Sequence, residues 1–234
     1  GINPNSTSTT TSAPALLAAP RSGNTTADRL LLDRFTFGND AVAIGESLFS
    51  VEETNRPERL HRLIDSTGSM SPTPWDTGSA YDSPVIHAMA LIAGTNTFIL
   101  ADAAPSSGTT PTTFYTASAT TPSAVTRLGQ NTHLKDVRAI AADASWIYVI
   151  GLYNPGSGNV RGIYRIPAED VTAVPQLLAP PDLAGFTSTN GSMVLDATRD
   201  ILYFRTHSVP RGVHAIFDAS TAAPIYAGPV IVRG

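Results

Sequence analysis

The chain has 234 residues, of which 42% are hydrophobic and 15% are charged, so it can bury a substantial core. Its net charge of −4, with Lys135 as the only lysine, excludes a dedicated nucleic-acid binder, because phosphate contacts need clustered basic residues. The absence of cysteine excludes disulfides, thiolate metal sites and cysteine nucleophiles, and no apolar run is long enough to span a membrane as a helix.

Residues 1–27 are rich in Ser, Thr, Asn and Pro, and this composition predicts a tail or linker that cannot bury enough apolar surface to fold alone. Leu16 and Leu17 form a small apolar island within it. We expect these two leucines to anchor the tail on a surface of this protein or of a neighbouring one.

From residue 28 onward, short segments rich in β-branched and aromatic residues alternate with Gly, Pro, Asp and Asn, which is typical of strands and turns. The predicted strands are 29–37, 41–44, 47–52 and 59–64, then 87–92, 97–101, 113–118 and 124–128, then 137–142, 146–151, 162–166 and 174–178, and finally 192–196, 201–205, 212–217 and 224–226. Residues 56–64 could also begin a helix at Pro57, but the repetition of the segments favours a strand. Residues 230–232 are left as an extra strand.

The segments repeat with a period near 50 residues. Ile140 and Tyr164 align with Leu91 and Tyr115 at an offset of 49, and Arg161-Gly162 returns as an Arg-Gly pair at an offset of 50. A period of this length built from four β-segments predicts stacked four-stranded sheets. The expected fold is therefore an all-β propeller of about four blades, near 28–65, 85–129, 134–179 and 190–232. Residues 230–232 could close a small ring by pairing with residues 30–32, or the chain could be part of a larger propeller.

The repeat rhythm, and the small apolar first segment at residues 139–142, resemble the degenerate bacterial β-propeller proteins of the TolB-like and NHL-like group. The resemblance covers about residues 28–232. No WD dipeptide, kelch Gly-Gly pair or repeated Asp-box is present, so it implies an architecture and not a particular activity. The cysteine-free composition is typical of exported proteins, and we expect a periplasmic or extracellular bacterial protein.

The longer connections, at 103–112, 153–161, 206–211, 66–84, 129–135 and 179–191, all fall where a propeller places one rim, and long connections on one face usually mark a binding face. An aromatic beside a carboxylate, as in Trp75-Asp76, can stack on a sugar ring or anchor a protein, although Trp75 could instead pack within its own loop. The candidate binding residues are Trp75, Asp76, Tyr81, Tyr153, Asn154, Phe186 and Arg211.

Three polar residues align at the start of the first strand of successive repeats: His87, Asp136 and Asn190. If these side chains converge at a channel mouth, imidazole, carboxylate and amide groups could bind a divalent cation. Lactonase-like propellers hold a metal in this position, but the glutamate of their pattern is missing here. A metal at His87, Asp136 and Asn190 is therefore one expectation, and simple hydration of these groups is the other.

Three functions are compatible with the sequence. The first is a non-enzymatic binding or scaffolding propeller that holds a protein or glycan on its long-loop face, without a cofactor. The second is a metal-assisted hydrolase or lyase with its site at the central channel. The third is a structural subunit that assembles through its N-terminal tail or through an open propeller edge.

Overall fold

The computed structural model describes residues 16–18, 29–32, 37–44, 47–52, 59–65, 70–75, 86–102, 110–122, 125–154, 158–179, 192–206 and 212–230. All the regular structure of these residues is β-strand, which confirms the expected all-β class. Within these ranges no helix is long and apolar enough to cross a membrane.

The strands form four sheets. A two-stranded pair contains β1 (Leu16–Ala18) and β2 (Arg29–Leu32). A four-stranded sheet contains β3 (Phe37–Ile44), β4 (Ser47–Glu52), β5 (Arg59–Asp65) and β6 (Met70–Pro74). A seven-stranded sheet contains β7 (Ile86–Leu91), β8 (Thr97–Asp102), β9 (Pro111–Ser118), β10 (Thr126–Ala142), β11 (Trp146–Tyr153), β12 (Val160–Pro167) and β13 (Gln176–Leu177). The last four-stranded sheet contains β14 (Ser192–Asp196), β15 (Ile201–Thr206), β16 (Gly212–Phe217) and β17 (Ile225–Val230).

The long strand β10 joins two antiparallel meanders. Its residues 126–131 pair with β9, and its residues 139–142 pair with β11, with register shifts at residues 131–135 and 135–139. The described residues therefore form four meanders of four strands each. We call them the first unit (β3–β6), the second unit (β7–β9 with residues 126–131), the third unit (residues 134–142 with β11–β13) and the fourth unit (β14–β17).

Consecutive units pack face to face through three apolar clusters. Phe49 and Leu60 of the first unit meet Phe98 and Leu100 of the second. The opposite face of the second unit packs on the third, and the opposite face of the third packs on the fourth. Because both faces of β8 and β11 are covered, their residues are apolar without alternation, and Phe98, Ile99, Leu100, Tyr148 and Val149 are all fully buried.

The connections of each meander lie at two opposite ends. Within each unit, the link from its second to its third strand and the links to neighbouring units share one end, which we call the loop end. The other links form what we call the turn end. A parallel bridge between Ile92 and Ala142 shows that β7 and the second half of β10 run in the same direction. The second and third units therefore present their loop ends on the same side.

Several expectations about individual strands are wrong in detail. Residues 66–84 were expected to be an inserted loop, but Met70–Pro74 forms β6, the edge strand of the first unit, where proline costs no ladder hydrogen bond. Residues 29–37 were expected to be one strand of the first blade, but Arg29–Leu32 instead pairs with Leu16–Ala18. Residues 124–128 and 137–142 are parts of the single strand β10, and Val230 continues the fourth unit's last strand.

The described residues do not close into a ring, because no apolar cluster among them joins the fourth unit to the first. The face of the fourth unit that points away from the third is only partly covered, since Ile201 and Ala215 are buried on it and other residues are exposed. Val194 is 65% exposed and Ile225 is 58% exposed on this face. Tyr203, Arg205 and Val213 lie beside Val194 and line a shallow apolar depression.

Candidate functional site

A group of charged residues lies at the loop end, where β10 passes from the second unit to the third. Asp136 sits in the irregular stretch of β10 and has a φ of 48°, in the left-handed region that Asp tolerates better than most residues. It is 7% exposed. This conformation coincides with the register shift of β10 between Lys135 and Ala139.

Two guanidinium groups share this carboxylate. Arg138 forms an ion pair through Nε with one carboxylate oxygen, and Arg161 donates from Nη2 to the other. Their side chains are 15% and 19% exposed, so water screens these pairs less than pairs on an open surface. Nη1 of Arg161 is buried and has no hydrogen-bond acceptor among the residues described.

His87, on β7 of the second unit, belongs to the same electrostatic neighbourhood. Burial lowers the pKa of the His87 imidazole below its ordinary value, and the Arg138 charge lowers it further, against a smaller raising effect of Asp136. His87 therefore lies within electrostatic range of Asp136 and Arg138. Asn190 lies outside the described residues.

The expected divalent cation does not fit this group. The carboxylate that would bind it is already shared by two guanidinium groups, and the excess charge of the cluster is positive. Among the described residues, no three His, Asp or Glu side chains are close enough together to hold a metal ion. The net positive charge of Asp136, Arg138 and Arg161 therefore favours an anion over a cation.

Lys135 adds to this positive charge. It pairs across the third unit with Leu152, and Leu152 pairs in turn with Arg161. Directly paired residues of antiparallel strands project on the same face, so Lys135, Leu152 and Arg161 form a row. The row ends beside the bulge that carries Asp136.

Aromatic side chains support the neighbouring loop-end positions. Tyr153, the last residue of β11, is half-buried, and its ring lies 6.2 Å from that of His133 and 5.6 Å from that of Tyr164. The Tyr164 hydroxyl donates to the Val160 carbonyl, and burial, with the nearby Tyr153, raises the pKa of Tyr164 to about 12. The adjacent Asn154 is exposed and accepts a hydrogen bond from the Gly158 amide. Tyr153 and Asn154 are thus placed at the loop end, as expected.

Trp75 has a packing position. It is 6% exposed, its ring meets Phe49 edge-on at 5.2 Å, and its indole Nε1 donates to the Ser118 carbonyl at 2.7 Å. Arg62 covers its other side, with the guanidinium 5.1 Å from the ring centre. This matches the packing alternative and leaves no ring face open for stacking on a ligand. The other expected binding residues, Asp76, Tyr81, Phe186 and Arg211, lie outside the described part of the chain.

The turn end has a different character. Asp143 accepts from the amides of Ser145 and Trp146, and Asp170 and Asp196 accept from Thr172 and Thr198. The Thr172 hydroxyl and amide lower the pKa of Asp170, and the Thr198 hydroxyl, followed by the Arg199 guanidinium, lowers the pKa of Asp196. Carboxylates of this kind are structural caps of local turns. Arg165, which is 5% exposed, also lies near this end and donates to the Gln176 side chain and to the Ala219 carbonyl.

The sequence did not single out Arg138 or Arg161 as site residues. The only signal for Arg161 was its place in the repeated Arg-Gly pair, and Arg138 carried none. No protein-family model and no curated protein matches the chain, so the candidate site is defined by its geometry alone.

Proposed function

We propose that the chain is a non-enzymatic binding domain that holds a partner protein at its loop end. The observation that supports this most is the group of charged residues at its loop end. There Arg138 and Arg161 share the single carboxylate of Asp136 and stay 15% and 19% exposed, whereas the buried Arg165 near the turn end donates to the Gln176 side chain and the Ala219 carbonyl. Arginine and tyrosine, both present there, are enriched in the central contacts of protein interfaces.

In this proposal the four units are consecutive blades of a β-propeller-like stack. Its support is the antiparallel order of the strands, the parallel bridge between β7 and β10, and the packing of each unit on the next. The cysteine-free composition supports a location outside the cytosol, in the periplasm or outside the cell. The metal-assisted hydrolase has less support, because the guanidinium groups occupy the carboxylate that it would use.

The binding function is tested by selecting a random phage-displayed peptide library on the immobilised protein. Clones are counter-selected on a Tyr153→Ala variant, which removes a half-buried aromatic side chain from the loop end. We expect a recurrent family of peptides that binds the wild type and loses at least about tenfold in affinity for the variant, as when an interface aromatic is truncated. Selection that yields no recurrent family, or only peptides indifferent to Tyr153, would contradict the proposal.

A second function, as a subunit of an assembly, is favoured by the partly covered face of the fourth unit. In the other three units, the equivalent face is covered by the following four-stranded unit. On the fourth unit, Val194, Tyr203, Val213 and Ile225 keep apolar or aromatic side chains on this face. We propose that a second copy of the chain covers it, sheet against sheet.

The assembly is tested by measuring the solution mass over a range of protein concentrations. We expect the wild type to form dimers, and a Val194→Lys, Ile225→Lys variant to remain monomeric, because both positions are exposed within one chain. Leu128→Lys is the matched control, since Leu128 is 42% exposed on another unit and should not affect the mass. A wild type that stays monomeric at every concentration would rule this assembly out.

A further inference from the structure

We propose that the Arg161–Arg138 pair recognises a carboxylate side chain of an acidic segment in the partner protein. This inference rests on the proposed binding function and names the chemistry of the ligand. Around Asp136, two guanidinium groups face one carboxylate, which leaves one positive charge without a counter-charge in the cluster. The net charge of the whole chain is −4, so the positive charge of this cluster is opposite in sign to that of the protein as a whole.

The geometry of Arg161 leaves one hydrogen-bonding group of its guanidinium unused. Nη2 donates to Asp136, whereas Nη1 is buried and has no acceptor among the described residues. A buried donor without an acceptor costs free energy, and a charged donor costs more than a neutral one. An incoming carboxylate would balance the charge, and an oxygen that accepts from Nη1 once the side chains covering it move aside would also remove this cost. Asp136, meanwhile, holds the guanidinium in place, so little side-chain entropy remains to be lost.

Three further observations favour a single carboxylate on a protruding side chain. Arg138 and Arg161 are only 15% and 19% exposed, so a broad planar surface would contact little of either guanidinium. Arg138, Arg161 and Asp136 together carry one net positive charge, which one carboxylate of the partner neutralises. Lys135 lies in the same row as Arg161 and extends the positive potential along which further acidic residues of the segment could lie.

The probe is a fluorescent hexaglutamate peptide with blocked ends, and hexaglutamine is its uncharged counterpart. Fluorescence anisotropy should show that the wild type binds hexaglutamate at least tenfold more tightly than hexaglutamine. Arg161→Gln should lose at least tenfold of the affinity for hexaglutamate. Arg199→Gln makes the same charge change at an exposed turn-end arginine and should leave the affinity within twofold.

Two further variants keep the test decisive if Arg161→Gln fails to fold. Arg161→Lys retains the positive charge but not the planar guanidinium that can donate two parallel hydrogen bonds to a carboxylate. It should lose affinity for hexaglutamate by several-fold while keeping the melting temperature close to that of the wild type. Asp136→Asn removes the competing carboxylate and should bind hexaglutamate more tightly than the wild type where the variant is folded. Unchanged affinity in both folded variants would overturn the assignment.

Three further outcomes distinguish an acidic peptide from an acidic glycan and from a phosphopeptide, and distinguish failure of this inference from failure of the proposed binding function. Binding of oligogalacturonate without binding of hexaglutamate would overturn the choice of a protein partner. A phosphoserine peptide that binds tenfold more tightly than hexaglutamate would overturn the choice of a carboxylate. Library peptides that bind the loop end equally well after their Asp and Glu are changed to Asn and Gln would support the binding function while overturning this inference.

Discussion

At the scale of single residues, Asp136 combines backbone strain with charge. Its φ of 48° is one that asparagine also tolerates, so its backbone conformation does not require the carboxylate. The carboxylate is instead the counter-charge of Arg138 and Arg161. Removing it would leave two partly buried cations facing each other.

Asp136→Asn should therefore lower the free energy of unfolding by about 3 kcal/mol, the usual cost of breaking a buried ion pair from one side. Chemical denaturation measures this change. Asp218→Asn is the control, because Asp218 has a similar φ of 52° but is exposed, and it should change stability by less than about 0.5 kcal/mol. Equal effects of the two substitutions would show that the ion pairs contribute nothing beyond the backbone.

His87 predicts a pH dependence of stability. Burial and Arg138 lower the pKa of His87 in the folded protein below its ordinary value of 6.5, so the unfolded chain binds the proton more readily. The resulting stabilisation is present above pH 6.5 and is lost as the pH falls towards the lowered folded-state pKa.

Thermal unfolding of the wild type and of His87→Gln at pH 7 and pH 5 tests this. We expect the melting temperature of the wild type to fall more between the two pH values than that of the variant, because glutamine does not titrate. Identical shifts would mean that His87 is not the titrating group.

At the scale of elements, the bend of β10 depends on one buried amide. Asn131 is fully buried, and its Nδ2 donates to the carbonyls of Val171 and Ala173 at 2.7 and 2.9 Å. Its Oδ1 accepts from the amides of His133 and Leu134, both at 2.9 Å. These four bonds fix the passage between two units and attach it to the turn that follows β12.

Asn131→Asp should be severely destabilising, by about 3 kcal/mol or more, because a carboxylate would face two carbonyl oxygens with no donor left for them. Asn96→Asp is the control, since Asn96 is exposed in the turn between β7 and β8. Denaturation midpoints of the two variants measure the difference. A variant Asn131→Asp as stable as Asn96→Asp would show that the amide does not hold the bend.

At the scale of the molecule, the units stack in series, and the first and fourth do not share a core among the described residues. Stacked sheets lie about 10 Å apart, so units that close a ring would be separated by that distance, and units at the ends of an open series by at least twice as much. The absence of native cysteine makes the distance directly measurable with spin labels.

Labels at Leu48→Cys on β4 and Val194→Cys on β14 should give a distance distribution centred well beyond that of adjacent sheets. Pulsed dipolar spectroscopy measures it, and singly labelled variants at matched concentration report any contribution between molecules. Strong dipolar broadening in the continuous-wave spectrum of the double variant would instead indicate a closed ring.

The site could be anticipated only in part. His87 and Asp136 were singled out because they begin equivalent strands, and the structure places them in one electrostatic neighbourhood. Their partners were not, because Arg161 lies 25 residues from Asp136 in sequence and meets it only through the pairing of β10, β11 and β12. For Trp75 the sequence left ligand stacking and packing within its own loop both open, because it does not show that the indole bonds to a strand 43 residues away.

The sequence alone determined that the chain is all-β and where most strands lie, as with Thr97–Asp102 and Ile201–Thr206, since strand and turn preferences are set by neighbouring residues. The tertiary structure alone decided that β10 serves two units, that Met70–Pro74 becomes an edge strand, and that two arginines share one aspartate. The physical reason is that pairing, burial and charge compensation depend on which distant segments meet, and a local pattern of residues does not encode those contacts.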